Sequence, residues 1–290
     1  MFPGFTARHY TVPGGEIFAR VGGAGPALVL LHGYPQTSAM WRHIAPALAE
    51  RFLVICPDLR GYGRSFKPST TEDHAPYSKR AMAGDILALA DQFGAETFDL
   101  VGHDRGGRVA HRLAADAEAR VRSLAVLDIA PTQEMYAGTH DAFARAYWHW
   151  FFLIRPAPGP ERMIGADPDA FWEETCTALS GAQDMFEDAR EEYLRAFRDP
   201  MTIHAACEDY RAAATIDLRH DAAEEGKLAV PLFVLWGDAG TVGRLFDPIA
   251  LWQQRAQHVT GKALPTGHFM AEEAPEAVLQ ELNTWLDRDR

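Results

Sequence analysis

The stretch Leu100-Val101-Gly102-His103-Asp104-Arg105-Gly106-Gly107-Arg108 decides the fold. Its apolar start is typical of the end of a buried strand. The pattern Gly102-x-Asp104-x-Gly106 is typical of a sharp turn that leads from a strand into a helix. Glycines suit this turn because its backbone is strained and because the helix that follows packs closely against its neighbours. The sequence therefore predicts a strand–turn–helix unit with the carboxylate of Asp104 at its apex.

A carboxylate at this apex, where comparable turns carry a serine, predicts a two-step alkyl hydrolysis. The carboxylate attacks saturated carbon, displaces a leaving group and forms an ester that water then cleaves. Two other interpretations stay open at this point. Glycine-rich strand-to-helix turns also occur in nucleotide-binding folds, although the negative charge of Asp104 would repel a phosphate. Asp104 could also serve only as an Asx-turn or helix-capping residue.

Short apolar runs alternate with amphipathic stretches around this turn, which predicts an α/β protein with a mostly parallel, doubly wound sheet. The strands are predicted at residues 27–31, 52–56, 98–101, 123–127, 232–236 and within 256–264. The helices are predicted at residues 41–49, 78–93, 107–115, 247–255 and 275–285. Strand signals stop between residues 131 and 226, where aromatic-rich, helix-forming sequence takes over. We therefore expect a core of residues 1–130 and 227–290 and an inserted helical cap of residues 131–226.

The composition excludes several classes of partner. A formal net charge of −12 disfavours binding to nucleic acid or to an anionic membrane surface. No apolar run approaches the roughly 20 residues that span a bilayer, and the first residues lack the apolar segment of an export signal. Cys56, Cys176 and Cys207 do not have the spacing of metal ligands. They predict reduced, structural thiols in a cytoplasmic protein that needs no metal.

A nucleophile in this chemistry also needs donors that hold a developing oxyanion. The segment His32-Gly33-Tyr34-Pro35 follows a predicted strand, where this type of fold places one of the two donors. We therefore expect the backbone N–H groups of Tyr34 and Arg105 to form the oxyanion hole. The alternative is that the segment is an ordinary turn.

The general base should follow the last strand, and His268 lies in a loop before the final predicted helix. Its ordinary pKa of about 6.5 lets it accept a proton from water at neutral pH. Two aspartates at strand ends compete to orient it, Asp128 and Asp238. We favour Asp128 because an unpaired carboxylate in its apolar setting would be costly, whereas Asp238 lies in a polar, glycine-rich turn.

Two arginines follow the predicted nucleophile at the start of its helix. Arg105 and Arg108 are three residues apart, so they lie on neighbouring positions of one helix face. Two guanidinium groups there match the geometry of a carboxylate, which predicts an anionic substrate. The alternative is that Arg108 faces outward or pairs with an acidic neighbour.

Six sequence blocks, in order along nearly the whole chain, resemble the fluoroacetate dehalogenase (haloacetate dehalogenase) family of the α/β-hydrolase fold. The blocks are His32-Gly33-Tyr34-Pro35-Gln36, Gly102-His103-Asp104-Arg105-Gly106-Gly107-Arg108, Leu127-Asp128-Ile129, Tyr147-Trp148-His149-Trp150, Asp209-Tyr210-Arg211-Ala212 and Gly267-His268. Their combination is much more specific than any one of them. The family also implies a homodimer that uses no cofactor.

The resemblance assigns roles to residues that match the family's motifs. It implies that Asp104 is the nucleophile and that Asp128 and His268 complete the triad. It also implies that Arg105 and Arg108 bind the substrate carboxylate. The donors to the leaving fluoride are then His149, Trp150 and Tyr210. The last assignment agrees with physical chemistry, because N–H and O–H donors stabilise a small anion whose charge develops as the carbon–halogen bond breaks. The aromatic run alone would predict core packing.

The chain departs from the family pattern at two positions. Tyr34 stands where phenylalanine is common, and Leu179 stands where a cap tryptophan often lines the pocket. A smaller side chain at position 179 predicts a wider pocket that admits 2-substituted or larger haloacids.

The sequence thus predicts hydrolytic dehalogenation of a small anionic 2-haloacid, with fluoroacetate as the first candidate. One rival is an epoxide hydrolase or haloalkane dehalogenase with the same triad and a neutral substrate. Such enzymes tend to carry tryptophan, rather than arginine, directly after the nucleophile. A more distant rival is a non-catalytic member of the fold that binds a small ligand.

Overall fold

A computed structural model describes residues 1–180, 185–186 and 188–288. Its centre is an eight-stranded sheet with the strand order β1-β2-β4-β3-β5-β6-β7-β8. The strands are β1 (Phe5–Val12), β2 (Gly15–Gly22), β3 (Ala27–Leu31), β4 (Leu53–Pro57), β5 (Phe98–His103), β6 (Val121–Leu127), β7 (Leu232–Gly237) and β8 (Val259–Leu264). From β4 onward the neighbouring strands are parallel, so the prediction of a mostly parallel α/β sheet is confirmed.

The central strand β5 leads into the glycine-rich turn that carries Asp104. It pairs with β3 and β6 in registers that set Leu31 beside Gly102 and His103 beside Leu127. The carboxyl ends of these three strands therefore meet at one edge of the sheet. Ligands of open parallel sheets bind at this edge. The loop after β3, the turn after β5 and the residue after β6 all begin there.

All six predicted strands are present, with ends that differ by a few residues, but the sequence reasoning missed the hairpin of β1 and β2. These two strands pair antiparallel, and β2 joins the edge of β4. Most of β1 is exposed, so it lacks the apolar run that marked the other strands. The available signal was the Pro13-Gly14 turn, where Gly14 has a positive φ of 91°.

The α-helices surround this sheet. They are α1 (Ala45–Leu48), α2 (Lys79–Asp91), α3 (Asp104–Asp116), α4 (Thr132–Ala137), α5 (Asp141–Ala146), α6 (Trp148–Leu153), α7 (Gly159–Ala166), α8 (Pro168–Leu179), α9 (Arg190–Phe197), α10 (Pro200–Ala213), α11 (Ile216–Ala222), α12 (Thr241–Leu245), α13 (Pro248–Trp252), α14 (Met270–Glu273) and α15 (Pro275–Asp287). Short 3₁₀ turns cover Ser38–Trp41, Ala75–Tyr77 and Glu118–Arg120. Of the helices that the structure describes, none is both long and apolar enough to cross a membrane.

Two predicted helices differ from the observed ones in an informative way. The helix predicted at residues 41–49 is instead a 3₁₀ turn followed by the single turn α1, which has a proline at its start. The helix predicted at residues 107–115 begins three residues earlier, at Asp104. Asp104 and Arg105 therefore belong to the first helical turn, where backbone N–H groups have no acceptor within the helix.

The helices α4 to α11 all lie between β6 and β7, and the described residues of that interval contain no strand. This is where the sequence predicts an inserted cap at residues 131–226. The bounds of that cap as a separate unit stay a prediction. We refer to α4–α11 and their connections as the helical insertion. The three cysteines, which were predicted to be reduced, are free and buried.

Candidate active site

The turn after β5 is built around glycines that leave no room for a side chain. A Cβ on Gly102 would lie 2.5 Å from the carbonyl oxygen of Gly106, and one on Gly106 would lie 2.4 Å from that of His32. Asp104 itself has a left-handed φ of 44°. Such backbone strain costs on the order of 1 to 3 kcal/mol and tends to occur at functional sites. The turn thus holds Asp104 in a backbone conformation that an aspartate rarely adopts by itself, and this conformation sets the position of its carboxylate.

Asp104 is 4% exposed, and its carboxylate faces several positive groups. The backbone N–H of Tyr34 donates to its Oδ2 at 3.0 Å. Burial alone would raise the pKa of Asp104, but His268 and Arg105 outweigh it and hold the pKa below its usual value. The carboxylate is therefore ionised at neutral pH, as a nucleophile must be.

The loop that carries Tyr34 is fixed by His32. The Nδ1 atom of His32 lies 2.9 Å from the carbonyl oxygen of Gly33, and its Nε2 accepts the backbone N–H of Leu59 at 2.9 Å. These two contacts together require the neutral tautomer with the proton on Nδ1, and burial lowers the pKa of His32 accordingly. The loop passes so close to the nucleophile that a Cβ on Gly33 would lie 2.7 Å from the Cβ of Asp104.

Of the two aspartates that competed to orient the histidine, the structure brings Asp128 into contact with it. Nδ1 of His268 lies 2.7 Å from Oδ2 of Asp128, whose Oδ1 accepts the backbone N–H of Gly237 at 3.1 Å. Asp238 is exposed. Burial opposes a charge on His268, but its contact with Asp128 outweighs burial and raises its pKa above 6.5. The arrangement leaves Nε2 of His268 as the nitrogen that can take up a proton.

Two residues that sequence reasoning did not assign to the site support the loop of His268. Nε2 of His103 lies 2.8 Å from the carbonyl oxygen of His268, and burial lowers the pKa of His103 to about 3. The carboxylate of Glu273 accepts the backbone N–H groups of Gly267 and Phe269 at 2.6 and 2.9 Å. Acidic residues just after a histidine loop, at the start of a helix, are the signal that could have found Glu273.

Arg105 is fully buried and is already paired with a carboxylate. Its Nε donates to Oδ2 of Asp209 at 2.9 Å, and its Nη2 donates to Oδ1 and to the backbone oxygen of Asp209 at 2.7 and 2.9 Å. Its guanidinium lies 4.2 Å from the ring centroid of Tyr210. Nη1 of Arg105 is buried and has no hydrogen-bond partner. One side of the guanidinium is therefore used by the protein, and Nη1 remains available.

Arg108 is also buried, but its contacts are neutral. Its Nη1 donates to the carbonyl oxygen of Ala130 and to Oγ1 of Thr132, at 3.1 and 2.9 Å, and the guanidinium lies 4.7 Å from the ring centroid of Trp150. Its Nε has no partner. Burial and the charge of Arg105 lower the pKa of Arg108. The outward-facing or acid-paired alternative for Arg108 is not what the structure shows.

The three residues that resemble halide ligands lie together in the helical insertion. His149 and Trp150 are on α6, Tyr210 is on α10, and all three are nearly fully buried. The ring centroids of His149 and Trp150 lie 5.9 and 6.3 Å from that of Tyr210. Burial lowers the pKa of His149 to about 3, so it is a neutral donor at physiological pH. The indole N–H of Trp150 has no partner. This cluster can offer neutral donors to a small anion.

In the described part of the chain, the group of side chains close enough to suggest a metal site is His111, Asp221 and Glu224. Its histidine lies two turns along α3 from Asp104. Arg112 donates to both of its carboxylates, at 2.6 and 3.3 Å. These contacts describe an ion-pair network that joins α3 to the end of the helical insertion.

Comparisons with known proteins identify the fold and the family of this chain. The family model of the α/β hydrolase fold matches residues 26–275. The chain is 46% identical to the fluoroacetate dehalogenase of Burkholderia sp, and the match covers 100% of this chain and 96% of that protein. It is 36% identical to the soluble epoxide hydrolase of Corynebacterium sp. (strain C12), with 89% of this chain and 88% of that protein covered.

A solved structure from Nostoc sp PCC 7120, provisionally described as an α/β hydrolase, superposes with a TM-score of 0.98 at 48% identity. That match covers 99% of this chain and 100% of the Nostoc chain. The fold that the glycine-rich turn predicted is thus shared along the entire sheet and insertion. The chain belongs to the α/β-hydrolase family of enzymes and, within it, to the fluoroacetate dehalogenases.

Proposed function

We propose that this protein hydrolyses the carbon–halogen bond of short 2-haloacids, with fluoroacetate converted to glycolate and fluoride. The observation that carries this proposal is the pair of buried arginines beside Asp104. Nη1 of Arg105 and Nε of Arg108 have no partner in the protein, and unpaired buried donors of this kind are costly. A substrate carboxylate would satisfy both of them, whereas a neutral substrate offers them weaker acceptors.

The first step is displacement at the substrate's α-carbon. Oδ2 of Asp104 is held by the N–H of Tyr34, so Oδ1 is the oxygen free to attack. The new O–C bond forms as the carbon–halogen bond breaks, and the bonding electron pair leaves with the halide. His149, Trp150 and Tyr210 receive the halide, and their donors gain most when its charge is fully developed.

The second step is hydrolysis of the ester on Asp104. Nε2 of His268 takes a proton from water, and the hydroxide oxygen bonds to the carboxyl carbon of Asp104. The N–H groups of Tyr34 and Arg105 hold the oxyanion, which then collapses, and the hydroxyacid oxygen leaves with the proton from His268. Esterification removes the negative charge of Asp104 that had helped to raise the pKa of His268. A larger fraction of His268 is therefore neutral, and able to accept a proton, in the intermediate than in the resting enzyme.

The test measures halide release with an ion-selective electrode from fluoroacetate, chloroacetate and 2-fluoropropionate, alongside turnover of a styrene-type epoxide. We expect release of fluoride and no diol. A single turnover in heavy-oxygen water should place the label in the Asp104 carboxylate first, because water attacks the enzyme ester. Label that enters the hydroxyacid directly would refute the aspartyl ester.

A specific observation keeps epoxide hydrolysis as the second candidate. The Corynebacterium relative is named a soluble epoxide hydrolase, and the same Asp-His-Asp arrangement would serve that reaction. The rings of Tyr34 and Tyr210 lie 5.3 Å apart, and either hydroxyl could donate a proton to an opening epoxide. Faster turnover of the epoxide than of any haloacid would favour this candidate, and ligand retention without any product would favour a binding protein.

The resemblance that supports this function also supports a homodimer that uses no metal or cofactor, and the free, buried cysteines support a cytoplasmic protein. Sedimentation equilibrium of the purified protein tests the dimer, and a metal-chelator control in the halide assay tests the chemistry. We expect full activity after chelation, because each proposed step uses side chains alone.

A further inference from the structure

The two arginines of the site have different electrostatic surroundings. Asp209 alone accepts three of the five N–H bonds that a guanidinium offers, and all three come from Arg105. Arg108 makes no ion pair with any residue that the structure describes. It lies instead against a carbonyl oxygen, a hydroxyl, a thioether and the ring of Trp150. Arg105 is thus paired with a contacting carboxylate, whereas Arg108 feels the charge of the Asp104 carboxylate only through space.

The carboxylate of Asp209 is itself held by further groups from the core. The ammonium of Lys79, at the start of α2, contacts its Oδ1, and the hydroxyl of Tyr62 donates to its Oδ2 at 2.6 Å. Burial would raise the pKa of Asp209, but Arg105 and Lys79 outweigh it, so the carboxylate stays charged. Asp217 lies 3.6 Å from the same ammonium and accepts the backbone N–H of Lys79 at 2.9 Å.

These four charged side chains form one buried cluster that we call the charge quartet: Arg105, Lys79, Asp209 and Asp217. Its two cations and two carboxylates sum to zero. Each side chain is at most 5% exposed, so solvent screens the cluster poorly. The quartet also ties the core helices α2 and α3 to α10 of the helical insertion, and α10 carries Tyr210.

We infer that Lys79 and Asp209 are positioning residues for the haloacid reaction. They hold Arg105 as a hydrogen-bond donor whose charge is neutralised. Arg108 is then the cation that selects a singly charged substrate. The inference rests on the proposed function. In this arrangement Nη1 of Arg105 orients the substrate carboxylate by a hydrogen bond, and the positive charge of Arg108 attracts it. Two uncompensated guanidiniums would hold the hydroxyacid product, which keeps the same carboxylate, and would slow its release.

The test uses one variant that changes the net charge of the quartet and a second variant that restores it. Lys79→Met leaves the quartet with a net charge of −1, and the double variant Lys79→Met/Asp209→Asn returns it to zero. Lys262→Met is the matched control, because Lys262 is exposed on β8 and pairs with Glu281. Each variant is examined for glycolate binding by calorimetry and for kcat and KM with chloroacetate and its neutral analogue chloroacetamide.

We expect Lys79→Met to weaken glycolate binding and raise the KM for chloroacetate about tenfold, the order expected for one buried charge near an anion. The ratio of kcat/KM for chloroacetate to that for chloroacetamide should fall by a similar factor. The double variant should recover most of the glycolate affinity, although it has lost more contacts, and Lys262→Met should match the wild type.

A double variant that binds glycolate as weakly as Lys79→Met, or more weakly, would overturn the inference, because contacts rather than charge would then decide binding. Equal losses for chloroacetate and chloroacetamide would also overturn it. Circular dichroism and melting temperature separate unfolding from these outcomes. The proposed function fails separately, if the wild type binds glycolate but releases no halide from any haloacid.

Discussion

The sheet core and the helical insertion supply different kinds of chemistry to one site. In the proposed mechanism the core provides Asp104 as the nucleophile, His268 as the base and Asp128 as the residue that orients the base, each placed by the end of a strand. The insertion provides neutral donors on α6 and α10, together with the carboxylate of Asp209. In the proposed mechanism, the covalent steps therefore depend on backbone geometry at the strand ends, whereas recognition of the leaving group depends on packing between helices.

The two regions also hold their residues by different forces. In the core, backbone strain and hydrogen bonds fix the nucleophile and the histidine, as the left-handed φ of Asp104 and the 2.7 Å contact of His268 show. In the insertion, ring contacts dominate. Phe143 lies 5.4 Å from Tyr147 and 5.6 Å from Trp150 between ring centroids. We expect substitutions of Asp104 and His268 in the core to stop a chemical step, and substitutions of the donors in the insertion to change its rate or its substrate.

The largest expected effect is that of Asp104→Asn. The amide is a poor nucleophile, so halide release should fall by a factor on the order of 10⁴ or more. The halide electrode measures this, and mass spectrometry confirms that the introduced amide has not been converted back to a carboxylate. Asp238→Asn is the matched control, because Asp238 also follows a strand but is exposed, and it should keep wild-type activity. Wild-type rates from the Asp104 variant would remove that residue from its role.

His268→Asn should separate the two steps. The first displacement does not need the base, so halide should still be released once per active site, while steady-state turnover falls by about 10³-fold. The ester should then accumulate as added mass on the peptide that contains Asp104. Normal turnover with no adduct would show that another group activates the water.

In the insertion, Trp150→Phe removes one buried N–H donor and keeps an aromatic ring. We expect kcat for fluoroacetate to fall by about 10²-fold, in the range found for single donors to a developing anion. Chloroacetate should lose less, since chloride needs less help to leave. Trp285→Phe is the control, because Trp285 stacks on Phe233 instead and likewise has a buried indole N–H without a hydrogen-bond partner. An equal loss for both substrates would argue that Trp150 acts through packing alone.

The pH dependence should separate the displacement step, which needs Asp104, from the hydrolytic step, which needs His268. The pKa of Asp104 is lowered, so the nucleophile stays ionised at about pH 5, whereas His268, with a raised pKa, is protonated there and cannot accept a proton. Rapid-quench measurements should therefore show a stoichiometric burst of halide followed by turnover roughly tenfold slower for each pH unit below the pKa that His268 has in the ester intermediate. A burst amplitude that falls together with the steady-state rate would place the titrating group in the first step.

The smallest effect concerns substrate size. The backbone oxygen of Leu179 accepts the N–H of His268 at 3.1 Å, so the end of α8 lies against the catalytic loop. Leu179→Trp should narrow the pocket and lower kcat/KM for 2-fluoropropionate relative to fluoroacetate about tenfold, the lower end of the discrimination that one methylene group gives. Leu179→Met conserves volume and serves as control. An unchanged ratio would place this side chain away from the substrate's second carbon.

Much of the core could be predicted because its signals are local. Apolar runs, glycine spacing and chain order marked the parallel strands, the turn at Asp104 and the loop of His268. The edge hairpin escaped because an exposed strand pairs through backbone hydrogen bonds that need no apolar pattern. Helix starts were also misjudged, because Asp104 adopts a φ that sequence propensity does not favour.

The functional residues of the insertion could not be predicted from residue patterns alone. The halide-binding role expected of His149, Trp150 and Tyr210 came from the resemblance to a family. Their aromatic run fits core packing equally well, because periodicity does not tell which side of a buried ring meets a ligand. The role of Asp209 beside Arg105 was not foreseen. The two residues are more than a hundred positions apart, so no local pattern links them.

By itself, the sequence determined the strand–turn–helix unit, the aspartate at its apex and the succession of the parallel strands along the chain, since backbone sterics and hydrophobic periodicity act over a few residues. Only the tertiary structure decided that Asp128 and not Asp238 contacts His268, and that Arg105 but not Arg108 is paired with a carboxylate. Both pairings depend on the path of the chain, which brings charges that are distant in sequence into one buried space. A buried charge is costly there unless the protein or a ligand supplies a partner.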